Sequence, residues 1–312
     1  MPGFKILFIG GSSLELNMNM HKLPSGGECV TDDGGVAYIP GGRASLAAAA
    51  AVGMGAESIL CTRLGADAHG KQLFSFYKDA GIDTTFVRAD RERPSGFSVL
   101  LKESDGTSRR ISYPGANLAV TEDNVTEAIE CAPNAVYISL EIPFSVVAAA
   151  AKAAARRGIP VFIDGCPASK DYPLEELPPV EVFLANTEQM QEYTGELPAG
   201  ATASLRAALA LAKRVQSKYI VIKQGSRGSF LYDGKHYQME AALRLDKPVD
   251  TSGLGNIYAA ALVLEYARSG GDIATAIKYA TAASAISVTR IGAASSVPTD
   301  DDVMAVYNES YT

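Results

Sequence analysis

Residues 248–260 read Pro248-Val249-Asp250-Thr251-Ser252-Gly253-Leu254-Gly255-Asn256-Ile257-Tyr258-Ala259-Ala260, a short polar turn with two glycines that leads directly into an apolar, alanine-rich segment. The apolar segment is typical of a helix, whose first backbone N–H groups lack intrahelical acceptors and lie at the positive end of the helix dipole. Gly253 and Gly255 carry no Cβ, so a phosphate can approach these N–H groups closely. An ordinary capped helix after a glycine-containing loop gives the same short pattern, so the rest of the chain must decide.

The composition is that of an ordinary globular protein. Of the 312 residues, 47% are hydrophobic and 20% are charged, and a chain of this length can bury a large core. The net charge of −7 argues against nucleic acid and against an anionic membrane as partners. The four cysteines are widely spaced, as free thiols in a reducing compartment are, and the first residues lack the pattern of a signal peptide. We therefore expect a cytoplasmic protein. The cysteines are Cys29, Cys61, Cys131 and Cys166.

Strand-like and helix-like segments alternate along most of the chain. Continuous apolar strands that alternate with helices predict an α/β fold with a mainly parallel sheet covered on both faces, in one domain over residues 1–312. Two stretches, about 13–39 and 94–113, instead alternate apolar and polar residues, and Asp105-Gly106 predicts a hairpin turn in the second. We predict that these two stretches form a small antiparallel sheet, discontinuous in sequence.

Six polar or glycine-containing loops follow predicted strands or precede predicted helices. Ligands of such sheets bind at the carboxyl ends of the strands, so these loops are candidate ligand contacts. The loops are 40–43, 140–143, 164–167, 186–189, 223–228 and 250–256.

The order of these loops resembles the ribokinase or PfkB-type carbohydrate kinases over nearly the whole chain. The first family signature resembles Pro40-Gly41-Gly42-Arg43 together with residues 63–70, and the second resembles residues 250–256. Residues 114–117, 140–143, 186–195 and 288–298 occur in the matching order. The resemblance implies a ribokinase-like, doubly wound α/β domain with a small β lid over the sugar.

The resemblance also implies a reaction and its cofactors. Members of the family transfer the γ-phosphoryl group of ATP to a hydroxyl of a sugar or nucleoside, with Mg²⁺ and often a monovalent cation such as K⁺. Lids of the family often pair, which allows a homodimer.

The matching positions assign candidate roles to residues of this chain. The substrate positions are Ser13, Glu15, Gly41, Gly42, Arg43 and Glu141. The nucleotide positions are Asn186, Lys223, Gly225 and Gly228. The metal positions are Asp250, Ser252, Ser287, Gly292 and Ser296. The backbone of Gly253, Leu254 and Gly255 forms the anion hole, and position 256 holds the catalytic base.

The chain departs from the family pattern at several of these positions. The base is normally an aspartate, and an amide at Asn256 cannot accept a proton near neutral pH. Gln189 replaces a glutamate that organises magnesium and phosphate, and Glu188 lies one position, about 100° of helical rotation, away. Glu15 and Leu46 replace an aspartate and an asparagine of the sugar pocket.

Several alternatives stay open from the sequence. The chain is either a kinase with a slow or unorthodox mechanism or a non-catalytic binding or regulatory protein that keeps the two pockets. An engineered substitution would explain Asn256 but not the other departures. Among single residues, Lys223 also fits a solvated strand end, Glu141 a helix N-terminus and Asp250 a turn.

Overall fold

The computed structural model describes residues 3–32, 34–104 and 108–312. The predicted turn at Asp105-Gly106 lies outside these ranges. The strands are β1 (Lys5–Ile9), β2 (Ser13–Met20), β3 (Val36–Gly41), β4 (Glu57–Gly65), β5 (Asp83–Asp90), β6 (Gly96–Glu103), β7 (Ser108–Tyr113), β8 (Ala135–Ser139), β9 (Val161–Asp164), β10 (Val180–Asn186), β11 (Ser217–Lys223), β12 (Ser229–Tyr232) and β13 (Tyr237–Glu240). The α-helices are α1 (Arg43–Gly53), α2 (Ala68–Asp79), α3 (Glu122–Ile129), α4 (Phe144–Arg156), α5 (Thr187–Thr194), α6 (Ala201–Ala212), α7 (Leu254–Arg268), α8 (Ile273–Ser287) and α9 (Asp300–Tyr311).

A nine-stranded sheet forms the centre of the fold, in the order β13-β12-β11-β10-β9-β8-β1-β4-β5. In the order of the sheet, the strands from β11 to β5 are all parallel, and the β11–β12 and β12–β13 pairs at one edge are antiparallel. The carboxyl ends of the parallel strands therefore meet at one edge of the sheet, as predicted for a mainly parallel sheet.

The first strand explains why both faces of this sheet are covered. Successive side chains of a strand point to opposite faces. Ile6 and Phe8 accordingly belong to a core with α1, α7 and α8, whereas Leu7 and Ile9 belong to a second core with α3, α4 and α6. All four side chains are fully buried, which confirms the two-faced, helix-covered sheet.

A smaller four-stranded sheet is built from the two separated stretches, in the order β3-β2-β6-β7. The β2–β3 and β6–β7 pairs are antiparallel, but β2 and β6 run parallel. The prediction of a purely antiparallel sheet is therefore wrong at its centre. Two antiparallel pairs are joined through their first strands, and these two strands run in the same direction.

No α-helix among the described residues combines the length and the apolar character that crossing a membrane requires.

Candidate active site

The turn before α7 has the features of an anion site. Gly253 is the N-cap of α7 with a φ of 74°, and a Cβ there would lie 2.7 Å from the Cβ of Ala293, so the position requires glycine. No side chain caps the helix. Among the described residues, the N–H groups of Gly253 and Gly255 have no acceptor, whereas Asn256 donates its N–H to the Gly253 carbonyl at 2.8 Å. Two free N–H groups at the positive end of a 15-residue helix can bind an anion.

Two cationic side chains lie beside this turn. Lys223, at the end of β11, donates from Nζ to the Gly255 carbonyl at 3.4 Å. A Cβ on Gly255 would lie 3.5 Å from this Nζ and 3.9 Å from Nη1 of Arg43, the first residue of α1. The Lys223 side chain is only 12% exposed, so the solvated alternative does not hold.

A buried carboxylate holds these two cations together. Asp164, the last residue of β9, is fully buried, and its Oδ2 lies 3.6 Å from both Arg43 Nη1 and Lys223 Nζ. The same oxygen accepts a hydrogen bond from the Tyr137 hydroxyl at 3.0 Å, whereas Oδ1 is buried and has no hydrogen-bond partner among the described residues. Sequence reasoning included the loop 164–167 among the candidate ligand loops but gave Asp164 no role.

The pKa values of the two cations follow from this burial. Burial lowers the pKa of Lys223 below its usual value, and the negative charge of Asp164 acts in the opposite direction. Burial also acts to lower the pKa of Arg43, but Asp164, Cys166, Tyr137 and Glu141 together outweigh it, so the pKa of the guanidinium is raised and Arg43 stays charged.

Glu141 connects the sheet edge to the start of α1. Its Oε2 accepts hydrogen bonds from the backbone N–H of Arg43 at 2.8 Å and from the Ser139 hydroxyl at 3.0 Å. Burial raises the pKa of this carboxyl group, while the Arg43 charge and these hydrogen bonds oppose the shift. Gly42, the N-cap of α1, offers no side chain, so Glu141 supplies the missing cap from elsewhere in the chain.

The remaining predicted substrate residues lie on β2, at the end of the edge strand β3 and at the start of α1. Ser13 pairs with Gly41 across β2 and β3, and a Cβ on Gly41 would lie 3.0 Å from the Ser13 hydroxyl oxygen and 3.4 Å from the Glu15 Cβ. The Glu15 carboxylate is buried, accepts a hydrogen bond from Ser98 at 3.1 Å and forms an ion pair with Arg110 of β7. Arg110 was not among the residues that the sequence assigned to the site, and its side chain is 51% exposed in this pair.

Asn186 and Gln189 use each other as helix caps. The Asn186 side chain accepts from the Gln189 N–H, and the Gln189 side chain accepts from the Asn186 N–H, both at 2.8 Å. This capping box engages both side-chain carbonyl oxygens at the start of α5. Glu188, the neighbouring carboxylate, is exposed.

The side-chain oxygens of Asn186 and Gln189 are engaged in the capping box, and Asp164 pairs with two cations. Mg²⁺ at phosphate-transfer sites is usually bound through one or two carboxylates together with the substrate phosphates, so a cluster of protein ligands is not required. Within residues 3–32, 34–104 and 108–312, no group of three or more His, Cys, Asp or Glu side chains could hold a metal ion.

The five predicted metal positions do come together in one loop region. Asp250 accepts hydrogen bonds from the backbone N–H groups of Ser252 and Gly292, both at 2.9 Å, and the hydroxyls of Ser287 and Ser296 lie 2.8 Å apart. Burial acts to raise the pKa of Asp250, but these backbone hydrogen bonds and the nearby charge of Lys102 hold it below its usual value. The oxygen-rich loop suits a monovalent cation better than a divalent one, because it offers a single carboxylate.

The predicted nucleotide loop follows β11. Gly228 has a φ of 90°, and a Cβ there would lie 1.9 Å from the Glu240 carbonyl oxygen, so this glycine lets the chain pass close to β13. Gly225 also has a positive φ, and its Cβ position faces open space. The loop starts one residue after Lys223, beside the cations of the α7 turn.

The fold and this site define a sugar kinase family. Residues 4–300 match the family described as pfkB family carbohydrate kinase, and the chain belongs to that family. The ribokinase-type resemblance of the sequence is therefore confirmed.

Curated relatives and solved structures agree with this membership. The chain is 27% identical to a ribokinase of Arabidopsis thaliana over 305 residues, which cover 96% of this chain and 80% of the relative. It is also 27% identical to a ribokinase of Bacillus subtilis over 303 residues, covering 96% and 97% of the two chains. The structure of the Arabidopsis thaliana ribokinase complexed with ribose and ATP superimposes with a TM-score of 0.86 at 23% identity, over 99% of this chain and 100% of the other. A Giardia lamblia ribokinase gives a TM-score of 0.88 at 20% identity, over 98% and 99%. At these sequence identities, the superpositions with the solved structures establish the shared fold alone.

Proposed function

We propose that this protein is a sugar or nucleoside kinase that transfers the γ-phosphoryl group of ATP to a substrate hydroxyl, with proton removal weakened at Asn256. The observation that carries the proposal is the pair of free N–H groups, on Gly253 and Gly255, with Arg43 and Lys223 beside them. Backbone donors and cations at a helix start stabilise the charge that develops on a transferred phosphoryl group. The curated ribokinase relatives support the same reaction class.

The acceptor is proposed to lie between the smaller sheet and the carboxyl edge of the larger one. A chain of contacts supports this: Glu15 lies against Gly41, Arg43 contacts Glu141 through its N–H, and the Arg43 guanidinium reaches Gly255. Carboxylates at Glu15 and Glu141 can accept hydrogen bonds from the hydroxyls of a polyol. The smaller sheet would act as the lid, and Lys102 of β6 already donates to the Ser252 hydroxyl at 3.0 Å.

Asn256 sets the proposed limit on the rate. Its amide oxygen can accept a hydrogen bond from the substrate hydroxyl and orient it, but it cannot take the proton, which must leave to solvent. A missing general base costs about 10²–10⁴-fold in rate. Positioning and charge stabilisation by Arg43, Lys223 and the turn remain, and these carry most of the catalysis in phosphoryl transfer.

Three subsidiary proposals accompany this function. A monovalent cation such as K⁺ would be held by the loop oxygens of Asp250, Ser287, Gly292 and Ser296. A cytoplasmic location fits the four free cysteines. A homodimer would form through the lid.

The outer face of the lid supports the homodimer. The cross-strand row Tyr38, Leu16, Val99 and Ile111 runs across all four strands, so these side chains share one face. Tyr38 is 55% and Ile111 is 71% exposed. The opposite face carries Glu15 and Lys102, so the apolar face points away from the site and suits a second copy.

The test is ATP turnover across a panel of sugars and nucleosides, with the wild type and Asn256→Asp. We expect slow turnover of at least one acceptor by the wild type and a gain of about a hundredfold or more in Asn256→Asp. Asn308→Asp, an exposed position on α9, controls for the added charge and should leave the rate unchanged. Absence of turnover in both the wild type and Asn256→Asp would contradict the kinase.

A non-catalytic binding or regulatory protein is the second candidate. Two observations favour it: amides at 256 and 189 replace family carboxylates, and Gln189 is committed to its capping box. This alternative predicts that calorimetry detects nucleotide binding, although neither the wild type nor Asn256→Asp turns ATP over.

A further inference from the structure

We infer that Lys102 of the lid strand β6 is a catalytic residue that binds the γ-phosphoryl group of the nucleotide when the lid covers the acceptor. The inference rests on the proposed function for the nature of the ligand, and it gives a role to a lid residue that the sequence did not place in the site. Lys102 acts beside the free N–H groups of the α7 turn and adds a cation that the lid itself brings.

The strand positions place Lys102 on the inner face of the lid. Successive side chains of a strand point to opposite faces, so Ser98 and Lys102, both on β6, share one face. Ser98 donates to the buried Glu15 carboxylate at 3.1 Å, and this face therefore carries the proposed acceptor contacts. Val99 belongs to the apolar row on the opposite, outer face.

The ammonium group of Lys102 reaches the phosphate-binding turn. Its Nζ donates to the Ser252 hydroxyl at 3.0 Å, although the two residues are 150 positions apart in the chain. Ser252 directly precedes Gly253, whose N–H has no acceptor among the described residues. A lysine carries three donors, so this hydrogen bond leaves two donors for an anion bound at the neighbouring N–H groups.

The partner of Lys102 distinguishes it from the other cations of the site. Arg43 and Lys223 both face the buried carboxylate of Asp164, each at 3.6 Å. Lys102 donates instead to a neutral hydroxyl, and the carboxylate next to it, Asp250, accepts from two backbone N–H groups at 2.9 Å. The charge of Lys102 is therefore available to a phosphate oxygen, with which it forms a stronger hydrogen bond than with a hydroxyl.

The lid links this cation to acceptor binding. In the paired strands β2 and β6, Glu15 lies opposite Ser98 and Asn19 lies opposite Lys102. A lid movement that carries Glu15 to the acceptor therefore carries Lys102 to the nucleotide. In the transfer, the acceptor oxygen bonds to the γ-phosphorus, the bond from that phosphorus to ADP breaks, and the hydroxyl proton leaves to solvent. Lys102 takes no proton, and its charge stabilises the negative charge on the transferred group.

Calorimetry of the full chain in MgCl₂ tests the contact with two probes, ADP and the non-hydrolysable ATP analogue AMP-PNP, of which only the second presents a γ-phosphoryl group. We expect Lys102→Met to weaken AMP-PNP binding about tenfold, the size of one charge-assisted hydrogen bond. ADP binding should stay within about twofold, which also reports that the variant is folded. Lys102→Arg should keep the AMP-PNP affinity within about threefold. Lys78→Met, an exposed lysine on α2, is the matched control and should bind both probes like the wild type.

Turnover of an acceptor from the panel gives a second measurement. Lys102→Met should lower kcat about a hundredfold in the wild type and in Asn256→Asp, and should leave the acceptor KM within about threefold. A lysine that only supports the lid would instead raise the acceptor KM.

Unchanged AMP-PNP affinity in Lys102→Met, or an equal loss for ADP and AMP-PNP, would overturn the inference. A selective loss of AMP-PNP binding without turnover in any form would support the phosphate contact and count against the kinase. Turnover with the same kcat and the same AMP-PNP affinity in Lys102→Met would support the kinase and count against this inference alone.

Discussion

Replacing Asp164 with asparagine removes the negative charge that holds Arg43 and Lys223 beside the turn. At 3.6 Å and an effective dielectric constant of about 20, each of the two ion pairs is worth about 4–5 kcal/mol of Coulomb energy. Part of this lost Coulomb energy is offset, because the neutral amide avoids the free-energy cost of desolvating a carboxylate. Breaking a buried ion pair typically costs about 3–5 kcal/mol. Since the Arg43 side chain is 25% exposed and can be partly hydrated, we expect the free energy of unfolding to fall by about 3 kcal/mol.

The pH dependence of this loss is also set by the structure. Burial already lowers the pKa of Lys223 in the folded protein, and Asp164 opposes that shift. Between the folded pKa and the unfolded value of about 10.4, the unfolded state binds more protons, so stability rises with pH. Asp164→Asn lowers the folded pKa further, and its stability should therefore start to rise at a lower pH than that of the wild type.

Urea unfolding at a series of pH values measures both effects. Glu127→Gln is the matched control, because Glu127 pairs with Arg88 at the surface with 56% of its side chain exposed, and it should cost less than about 1 kcal/mol. A double variant, Asp164→Asn with Lys223→Met, should recover part of the loss. An Asp164→Asn protein within about 1 kcal/mol of the wild type, with the same pH slope, would refute the reasoning.

Three further substitutions test the roles of the two glycines in the turn and of the outer lid face. Gly255→Ala should stabilise the protein by about 0.5–1 kcal/mol in urea unfolding, because its Cβ position meets only ordinary contacts in α7, yet it should weaken ATP binding by crowding the turn. Gly253→Ala should instead destabilise by about 2 kcal/mol or more, since the new Cβ would clash with Ala293 at a positive φ; equal effects of the two variants would contradict this assignment. Ile111→Asp on the outer lid face should shift a dimer to a monomer in sedimentation experiments without unfolding the chain, and an unchanged oligomeric state would argue against a dimer through that face.

The sequence patterns predicted most of the large sheet because its strands are short, continuous and apolar. They missed β5 (Asp83–Asp90), since its residues are mostly polar and half exposed at the sheet edge. They also missed α3 (Glu122–Ile129) and α9 (Asp300–Tyr311), although Thr121 with Asn124 and Thr299 with Asp302 form capping boxes that could have revealed both helices.

The candidate site was harder to predict because its decisive contacts are distant in sequence. The turn at Gly253 and Gly255 could be recognised locally, since its spacing and the following helix are visible in the chain. Asp164 could not, because its importance comes from Arg43 and Lys223, which lie far from it along the chain. The start of α1 at Arg43 could not be predicted locally either. The acceptor for the Arg43 N–H is the side chain of Glu141, which is distant in sequence.

The central claim is that the phosphates of the nucleotide bind at the N–H groups of Gly253 and Gly255. Selective ¹⁵N-glycine labelling simplifies the amide spectrum to the 29 glycines, so these two signals can be assigned through the alanine variants and followed during an ATP titration. We predict that both signals shift and saturate together at the calorimetric affinity, while that of the exposed Gly234 on the β12–β13 turn stays fixed. Saturating ATP that moves other glycine signals but leaves those of Gly253 and Gly255 in place would contradict the claim.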